Sequence, residues 1–561
     1  MSIKESIASA IANILDKDVA EIYQILDKSP NLEMGDYSLP CFKLAKELKM
    51  APLQIANNIK DKLILPEIDK IEVVSGYLNI FIKKEIYVKS VLEEIANKRE
   101  KYGSTGEGKG KTALVEHTSI NPNASPHIGR ARNALIGDSV VKILNFNDYK
   151  VETHYFVNDI GKQISMLLVG SKNKENVKFD ELLQLYVDIN KRVEEDKDLE
   201  QEVFDNLYKL ENGDKETIQK FRNIVETCIE GQKEIFGKLG IHYDYFDYES
   251  DFIINGKVDE VLEKLKDTGK LFEAEDGRLA INQEEYHLPM KSPVLVVTRA
   301  DKTSLYPLRD IAYSIYKAER NTDKNVIILG EDQKLYFQQI SAALDLLGYK
   351  TAQVIHYSFV LLPSGKMSTR NGTVVLLEDF MKEILEKTKQ ELAKRNEGNI
   401  DEEKAKKIAY GAVKYTILKG SCEKNVTFDL EKALSFDGDT SLYIQYNYAR
   451  INSILTKANY EGMVKLGKFE LLNEDAEIQI IQKLEEFKSI IAKVTEKLTP
   501  NLIANYVYDL TKLFSSYYHD YSILNAETEE LKNMRLQLIY SIGEVIEISL
   551  NLLGIETVDE I

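Results

Sequence analysis

The sequence predicts an α/β protein in which a doubly wound parallel sheet is preceded by an α+β block and followed by an all-α helix bundle. Three observations predict this order. Helical and alternating patterns are mixed over residues 1–102, strand-like and helix-like runs alternate over 111–378, and 379–561 is helical almost throughout. A chain of 561 residues also exceeds what one hydrophobic core usually holds, so about three domains are expected.

The first block begins with an amphipathic helix pattern, MSIKESIASAIANILDKD, which contains acidic residues and lacks the features of an export signal. Further along, an apolar alternation around Gly76 indicates two strands that meet at a turn. It consists of Val73, Val74, Tyr77, Leu78, Ile80 and Phe81. The segment 103–110, GSTGEGKG, is too rich in glycine for a packed element and indicates a linker.

The second block contains strand-like runs at 112–119, 149–157, 292–299, 324–330 and 352–362. A helix after the first run places Leu135, Ile136, Val140, Ile143 and Leu144 on one face. A helix after the fourth has Tyr336, Ile340, Leu344 and Leu347 in phase and stops at Gly348. This alternation predicts a Rossmann-like parallel sheet that binds ligands at the carboxyl ends of its strands. Residues from about 162 to 290 are helix-rich and charged, which indicates an insertion between the two halves of the sheet.

Composition narrows the class of protein. The net charge of −18 opposes non-specific binding to nucleic acid, although local Lys and Arg patches can still bind RNA. No apolar run reaches the length of a membrane span. Cys41, Cys228 and Cys422 are far apart and form no ligand pair, so neither a structural metal site nor a disulfide framework is expected. The cytoplasm is the expected location.

The first candidate motif lies in VEHTSINPNASPHIGRARN (115–133), which predicts a strand, a proline-containing turn and a helix start. Residues 127–130 fall on the first turn of that helix, where free N–H groups and partial positive charge suit a phosphate. Gly129 leaves room for a ligand against the backbone, His127 can donate to a phosphate oxygen, and Arg130 adds a permanent cation. Taken alone, such a segment is more often a capped helix with a surface histidine.

The second candidate motif is the polar loop KMSTRNG (366–372), which follows the last strand-like run. It carries the cations Lys366 and Arg370, so it can close over a polyphosphate and supply charge as pyrophosphate leaves. In isolation such a loop is more often a solvated basic turn. The two motifs together, a HIGH-like signature at the first strand and a KMSKS-like signature after the last, resemble the class I aminoacyl-tRNA synthetases.

Candidates for a guanidinium pocket lie at the same end of the sheet. Tyr306 and Asp310 are four residues apart in YPLRDIAY and share one face of a predicted helix. Glu116 lies in the first strand, five residues before Asn121. A carboxylate matches the fork of a guanidinium in a bidentate pair. The alternatives are a solvated ion pair between Asp310 and Arg309, and a rim charge at Glu116.

The chain resembles the arginyl-tRNA synthetase family in particular. The catalytic segments that carry this resemblance are VEHTSINPNASPHIGRARN, YPLRDIAY, ILGEDQKLYF (328–337) and KMSTRNGTVVLLEDF (366–380). Residues 32–59 and 75–82 are similar to that family's additional N-terminal domain, and 438–454 to the start of its anticodon-binding domain. The implied domains are an additional tRNA-binding domain (1–102), a class I catalytic domain (111–378) and an α-helical anticodon-binding domain (379–561).

The resemblance implies an arginine–tRNA ligase that uses ATP with Mg²⁺, has no tightly bound cofactor, and usually needs tRNA before arginine is activated. Its partners would be arginine, ATP and the tRNA for arginine, and a monomer is expected. The guanidinium would be held by Glu116, Tyr306 and Asp310, and the α-amino group by Asn121 and Gln333. ATP would meet His127, Gly129, Arg130 and the loop residues Lys366, Met367 and Ser368, with His127, Arg130 and Lys366 as the catalytic residues.

Two positions depart from the class pattern. Arg130 stands where most members have the second histidine of HIGH, and Thr369 replaces the second lysine of KMSKS, leaving Arg370 as the next cation. Arginine is longer than histidine and always charged, but it can still donate to a phosphate. Activity is therefore expected to survive.

One helix face in the third block suits unpaired anticodon bases, because aromatic and Arg side chains stack on bases. It consists of Tyr443, Tyr446, Asn447 and Arg450. A second face is expected to be core and consists of Ile444, Tyr448, Ile451 and Leu455. The alternative for the first face is packing against the catalytic block. Core packing is also favoured for Tyr517, Tyr518, His519 and Tyr521.

Two other functions remain open at this point. A synthetase for another amino acid would share the fold but lack the set Glu116, Tyr306 and Asp310, and exchange assays with each amino acid would identify it. A catalytically inactive relative that binds tRNA is supported only by Arg130, whereas Lys366 and the pocket residues oppose it.

Overall fold

The first hundred residues form an antiparallel sheet packed with helices. The computed structural model describes residues 3–29, 34–172, 177–362, 365–366, 375–395, 401–462 and 467–560. The elements of the first block are α1 (Ile3–Leu15), α2 (Val19–Ile25), β1 (Asp27–Lys28), β2 (Tyr37–Pro40), α3 (Phe42–Leu48), α4 (Pro52–Lys62), β3 (Ile68–Val74), β4 (Tyr77–Ile82) and α5 (Lys84–Lys98). The sheet order is β1-β2-β4-β3. The predicted strands around Gly76 are confirmed: Ser75 (φ 49°) and Gly76 (φ 84°) form the two-residue turn between β3 and β4.

The glycine-rich segment 103–110 is a series of packed turns, so the expectation of an unpacked linker is wrong. Thr105 donates its backbone N–H to Asn147 Oδ1 at 2.9 Å. A Cβ built on Gly103 would lie 2.6 Å from the ring of Phe487, and one on Gly108 would lie 2.3 Å from the ring of Tyr149. The glycines are therefore needed for close approach between the segment and its neighbours.

The second block is built around five parallel strands. In chain order its elements are β5 (Thr112–Glu116), α6 (Ile128–Phe146), β6 (Lys150–Val157), α7 (Lys162–Gly170), α8 (Leu182–Glu195), α9 (Lys197–Glu211), α10 (Lys215–Lys238), β7 (Tyr245–Tyr248), α11 (Glu249–Ile254), α12 (Lys257–Asp267), β8 (Leu271–Glu273), β9 (Leu279–Asn282), β10 (Val294–Val296), α13 (Tyr306–Glu319), β11 (Lys324–Gly330), α14 (Lys334–Leu346), β12 (Gln353–Tyr357), β13 (Val360–Leu362) and β14 (Gly365–Lys366). The central sheet has the order β12-β11-β5-β6-β7 with every pair parallel. The predicted doubly wound sheet is confirmed.

Two strand-like runs behave differently from the prediction. Only the middle of 292–299 is a strand, and this strand, β10, pairs antiparallel with β9 in a separate sheet instead of joining the central one. The run 352–362 divides into β12, which lies in the central sheet, and β13, which does not. A four-residue edge strand, β7, lies inside the helix-rich region 162–290 and was not predicted from the sequence. Short apolar runs identify strands without identifying their partners, which tertiary packing decides.

The third block is a helix bundle. Its elements are α15 (Leu377–Arg395), α16 (Glu402–Leu418), β15 (Val426–Thr427), α17 (Leu430–Ala433), α18 (Ser441–Lys457), α19 (Asp475–Lys497), α20 (Asn501–Asp520) and α21 (Glu529–Leu552). The predicted helices are confirmed, with one two-residue strand, β15, added in parallel to β13. One large apolar core runs through the first block, the central sheet and the bundle. Within the described residues, no helix is both long and apolar enough to span a bilayer.

Candidate active site

The candidate site lies where the central sheet reverses its winding. Along the chain, β6 and β7 are added on one side of β5, while β11 and β12 are added on the other. The loops that leave β5 and β11 therefore diverge and open a crevice at the carboxyl ends of these two strands. Most of the residues singled out in the sequence lie in the loops and helix starts around this crevice.

The backbone turns sharply directly after β5. Thr118 (φ 73°) and Ser119 (φ 41°) are both in the left-handed region, which is unfavourable for side chains with a Cβ. Asn133 of α6 holds this turn by accepting the Thr118 N–H at 2.6 Å. The hydroxyl of Tyr155 accepts the N–H of Ile120 at 3.0 Å. Strain of this kind, fixed by buried partners, is typical of a loop that positions a ligand.

His127 is the N-cap residue of α6, and Arg130 is exposed on the first turn. The predicted position of both at a helix N-terminus is confirmed. Burial lowers the pKa of His127, and the neighbouring Arg130 lowers it further. The imidazole is therefore neutral near pH 7 and can donate one hydrogen bond to a phosphate oxygen beside the free N–H groups of the helix.

Gly129 allows the His127 ring to fold over the backbone. A Cβ on Gly129 would lie 3.0 Å from both Nδ1 and Cε1 of His127. The Gly129→Ala substitution must therefore move the imidazole by a few tenths of an ångström, and we expect the KM for ATP to rise by about tenfold. Gly237→Ala is a matched control, because no atom lies within 4 Å of its added Cβ. An unchanged KM for ATP in Gly129→Ala, measured by pyrophosphate exchange, would contradict this geometry.

The second motif is anchored on both sides of its loop, and on the far side it contacts the first motif. Before the loop, Leu361 of β13 pairs with Lys366 of β14. After it, Ile128 donates its backbone N–H to Val375 O at 3.2 Å, and Leu377 donates to Pro126 O at 2.8 Å. The segment 367–374, which includes the predicted Met367 and Ser368, lies outside the described residues. The structure thus brings the start of α6 and the end of the KMS segment together.

Arg132 of α6, which was not predicted as a site residue, also connects these segments. Its side chain is fully buried. The guanidinium donates to five backbone carbonyl oxygens, those of Ser358, Phe359, Ser421, Cys422 and Lys424, at 2.7 to 3.4 Å. These carbonyls belong to the segment that enters β13 and to the loop that enters β15. One arginine therefore ties the helix of the first motif to the strand that leads into the second.

A polar stripe on α13 forms one wall of the crevice. Tyr306, Asp310, Tyr313 and Lys317 fall at helical spacing, and exposure declines along the stripe from 54% at Tyr306 to 2% at Lys317. The predicted common face of Tyr306 and Asp310 is confirmed. The hydroxyl of Tyr336 donates to Asp310 Oδ2. Burial raises the pKa of Asp310 to about 6, although this hydrogen bond opposes the shift.

Further carboxylates lie beside Asp310. Glu116 ends β5, is 5% exposed, and accepts a hydrogen bond from the ammonium group of Lys317. Glu249, which the sequence analysis missed, begins α11 and accepts from Arg309 Nε at 2.5 Å. Burial raises the pKa of Glu249 to about 7. Its position directly after a sheet strand is a signal for a site residue, but the four-residue β7 is too short to recognise in the sequence.

Asn121 and Gln333 follow the two strands that flank the crevice. Asn121 lies in the loop after β5 and donates from Nδ2 to Gln163 Oε1 at 3.3 Å. Gln333 ends a short 3₁₀ turn after β11, and both side chains are exposed. Both side chains are therefore accessible from solvent next to the carboxyl ends of β5 and β11.

The proposed RNA face of α18 is divided between surface and interior. Arg450 lies 4.8 Å from the ring centroids of both Tyr446 and Tyr518, and Tyr443 packs near Tyr508 at 6.0 Å. Asn447 is 1% exposed and donates a hydrogen bond to Tyr443 O. It therefore lies in the interior under this face of α18 and supports it. The core face is confirmed for Ile444, Tyr448 and Ile451, which are buried, and Leu455 is half-buried. Core packing is confirmed for Tyr517 but not for the exposed Tyr518 and His519, while Tyr521 is half-buried.

Known proteins share this arrangement. Residues 91–430 match the family described as tRNA synthetases class I (R), catalytic domain, 444–561 match the DALR anticodon binding domain, and 1–82 match the arginyl tRNA synthetase N terminal domain. An arginine–tRNA ligase of Methanocaldococcus jannaschii is 39% identical over 99% of both chains. The chain belongs to the arginyl-tRNA synthetase family.

Further relatives agree with this assignment. An arginine–tRNA ligase of Clostridium acetobutylicum is 34% identical over the full length of both chains. The structure of Thermus thermophilus arginyl-tRNA synthetase superposes with a TM-score of 0.81, 25% identity and full coverage of both chains. The activity of this synthetase is the ATP-dependent ligation of arginine to tRNA. The alternative of a synthetase for another amino acid is thereby removed.

Proposed function

We propose that Glu116, Tyr306 and Asp310 form the guanidinium pocket of this synthetase, and that Asn121 and Gln333 hold the α-amino group of arginine. The proposal rests on the carboxylate of Asp310. It lies one helical turn from the exposed Tyr306 on the wall of the crevice and accepts a hydrogen bond from Tyr336. A guanidinium in such a place gains a charge-assisted hydrogen bond and an aromatic face. The amide side chains at the mouth would orient the other end of the substrate.

ATP is proposed to lie against the start of α6. His127 and Arg130 would donate to its phosphates, the backbone at Gly129 would contact the flat parts of the nucleotide, and Lys366, Met367 and Ser368 would close over the polyphosphate. Mg²⁺ is proposed to arrive with ATP.

The proposed reaction has two steps and needs no protein nucleophile. The arginine carboxylate attacks the α-phosphate of ATP, which releases pyrophosphate and forms arginyl-adenylate. The terminal ribose hydroxyl of tRNA then attacks the carbonyl carbon, and AMP leaves. The residues of this chain contribute by orienting the reactants and by stabilising charge, with Arg130 donating to the α-phosphate in the transition state.

The remaining assignments concern RNA and organisation. We propose that 1–102 and 379–561 both contact tRNA, the latter through Tyr443, Tyr446 and Arg450 with Asn447 behind them. Stacking of bases on aromatic rings is worth about 1–3 kcal/mol per base, which such a face can supply despite the net negative charge of the chain. The protein is further proposed to act as a monomer in the cytoplasm.

Arginine use is expected to weaken as the pH falls through about 6. Burial raises the Asp310 pKa to this value, the Tyr336 hydrogen bond opposes the shift, and Glu116 adds to it. Because a guanidinium needs the ionised carboxylate, kcat/KM for arginine should be constant above this pKa and fall by about tenfold per pH unit below it. The melting temperature over the same range is the control. An acid limb near the ordinary carboxyl pKa of 3.8 would contradict the assignment.

The direct test of the proposed chemistry is pyrophosphate exchange by the purified chain with arginine, in the presence and absence of its tRNA. We expect exchange that depends on arginine and on tRNA. Absence of exchange with tRNA present would show that Arg130 does not support catalysis in place of histidine.

A further inference from the structure

The two strands that flank the crevice stop pairing with each other just before their loops begin. The parallel ladder between β5 and β11 ends at the pair formed by Glu116 and Ile327. The next residue of β11, Ile328, still pairs with β12 on its other side but has no partner in the ladder with β5. The backbones of β5 and β11 therefore separate at this level, and the crevice begins there.

The side-chain amide of Asn133 fills the gap between the separating strands. Its Oδ1 accepts the N–H of Thr118, the second residue after β5, at 2.6 Å. Its Nδ2 donates to the carbonyl oxygen of Ile328 in β11 at 2.8 Å. Asn133 is 6% exposed and belongs to α6, the helix that begins at the first motif. One amide with a donor and an acceptor thus replaces a peptide group in the ladder and forms a bridge, the Asn133 bridge, between β5, β11 and α6.

The three bridged elements carry several of the proposed substrate contacts. Asn121 follows the bonded N–H of the β5 turn by three residues, and Gln333 follows the bonded carbonyl of β11 by five. The proposed ATP contacts of α6 lie one to two helical turns before Asn133. Because the amide is short, buried and bonded at both polar atoms, it fixes the separation of the two strands and the position of the helix relative to both.

We propose that Asn133 is a positioning residue that holds the crevice at the width needed for adenylate formation. It aligns the α-amino end of arginine, which lies between the loops of β5 and β11, with the α-phosphate of ATP at the start of α6. The inference rests on the proposed placement of arginine and ATP, and it adds a residue that touches neither substrate. A misplacement of about 1 Å between reacting groups can cost about 100-fold in rate, so damage to the bridge should appear in kcat.

The Asn133→Asp substitution separates the two halves of the bridge. Aspartate has the same shape and still accepts the Thr118 N–H, but its carboxylate, ionised in mildly alkaline buffer, cannot donate to the Ile328 carbonyl oxygen and repels it. The turn after β5 should stay in place while the end of β11 moves. In pyrophosphate exchange with tRNA present, we expect kcat to fall by about 100-fold and the KM for arginine to rise, with no change in the KM for ATP.

Asn147→Asp is the matched control, because Asn147 makes the same kinds of bond elsewhere on α6. It is fully buried, accepts the backbone N–H of Thr105 at 2.9 Å, and donates to the carbonyl oxygen of Ile143 at 2.9 Å. It is the C-cap residue of α6, roughly 20 Å along the helix axis from Asn133. Both variants should lower the melting temperature, but only Asn133→Asp should lower kcat. Asn133→Ser, whose side chain is too short to reach both partners, is the second variant and should give the same result if Asn133→Asp does not fold.

Inhibition by the desamino analogue of arginine separates positioning from a general loss of structure. This analogue keeps the guanidinium but has no α-amino group, so its inhibition constant should be unchanged in the Asn133 variants while the KM for arginine rises. A folded Asn133 variant with the kcat of the wild type would overturn the proposal, and so would equal weakening of arginine and its analogue. A wild-type KM for arginine in both Asn121→Ala and Gln333→Ala would instead refute the proposed α-amino contacts. Because those variants leave Asn133 intact, the two failures are distinguishable.

Discussion

Replacing Asp310 with asparagine is expected to lower kcat/KM for arginine by about 1,000-fold, because the guanidinium then enters a buried site without the carboxylate that compensates it. Asparagine has the same shape and can still accept the Tyr336 hydrogen bond. Burial already favours the neutral form of Asp310, as its raised pKa shows, so the neutral replacement should not destabilise the fold. Pyrophosphate exchange at limiting arginine measures the effect.

Asp345→Asn is the matched control for that variant. Asp345 lies on α14, is exposed, and also accepts a tyrosine hydroxyl, that of Tyr286 at 3.0 Å. It faces no candidate substrate position, so its kinetics should match those of the wild type. An Asp310→Asn enzyme with a normal KM for arginine and a normal melting temperature would show that arginine binds elsewhere.

Replacing Arg132 with methionine is expected to reduce the free energy of unfolding by about 3–5 kcal/mol, the scale for removing one side of a buried charged network. Five carbonyl oxygens would lose their donor at once, and water cannot reach a side chain position that is fully buried. Two of these carbonyls directly precede β13. The segment that leads from β13 to Lys366 should therefore also lose the contact that fixes its position. The melting temperature and the KM for ATP should therefore change together.

Arg130→Met provides the comparison for Arg132. It stands two residues earlier on α6 but is exposed, so its removal should leave the melting temperature unchanged while ATP-dependent exchange falls. Arg132→Lys should recover little, because an ammonium has three donors and cannot reproduce a planar fork that meets five acceptors. A fully stable Arg132→Met protein would show that the carbonyl contacts are dispensable.

The geometry of the candidate site was predictable in part because several of its features are local. A strand followed by a proline-containing turn and a helix can only place His127 and Arg130 at a helix N-terminus. Tyr306 and Asp310 had to share a face once 306–319 was helical. Glu249 escaped prediction because the strand before it has four residues and lies in a helix-rich region. The packed glycines of 103–110 escaped because composition alone does not distinguish a flexible segment from a close approach.

Periodicity and motif spacing were thus sufficient to predict the class of fold, the order of the three blocks and the residues at the mouth of the crevice. Each of these depends on residues that are close in sequence, within a few helical turns or strands. The pairing of Lys317 with Glu116, of Tyr336 with Asp310, and of Arg132 with the carbonyls near residue 422 joins distant parts of the chain. Such contacts arise only when the sheet, α13 and the bundle pack together and remove these groups from water. Once these groups are buried, leaving one of them without a partner costs much free energy, so the partners that packing supplies decide the structure. No local sequence pattern identifies those partners.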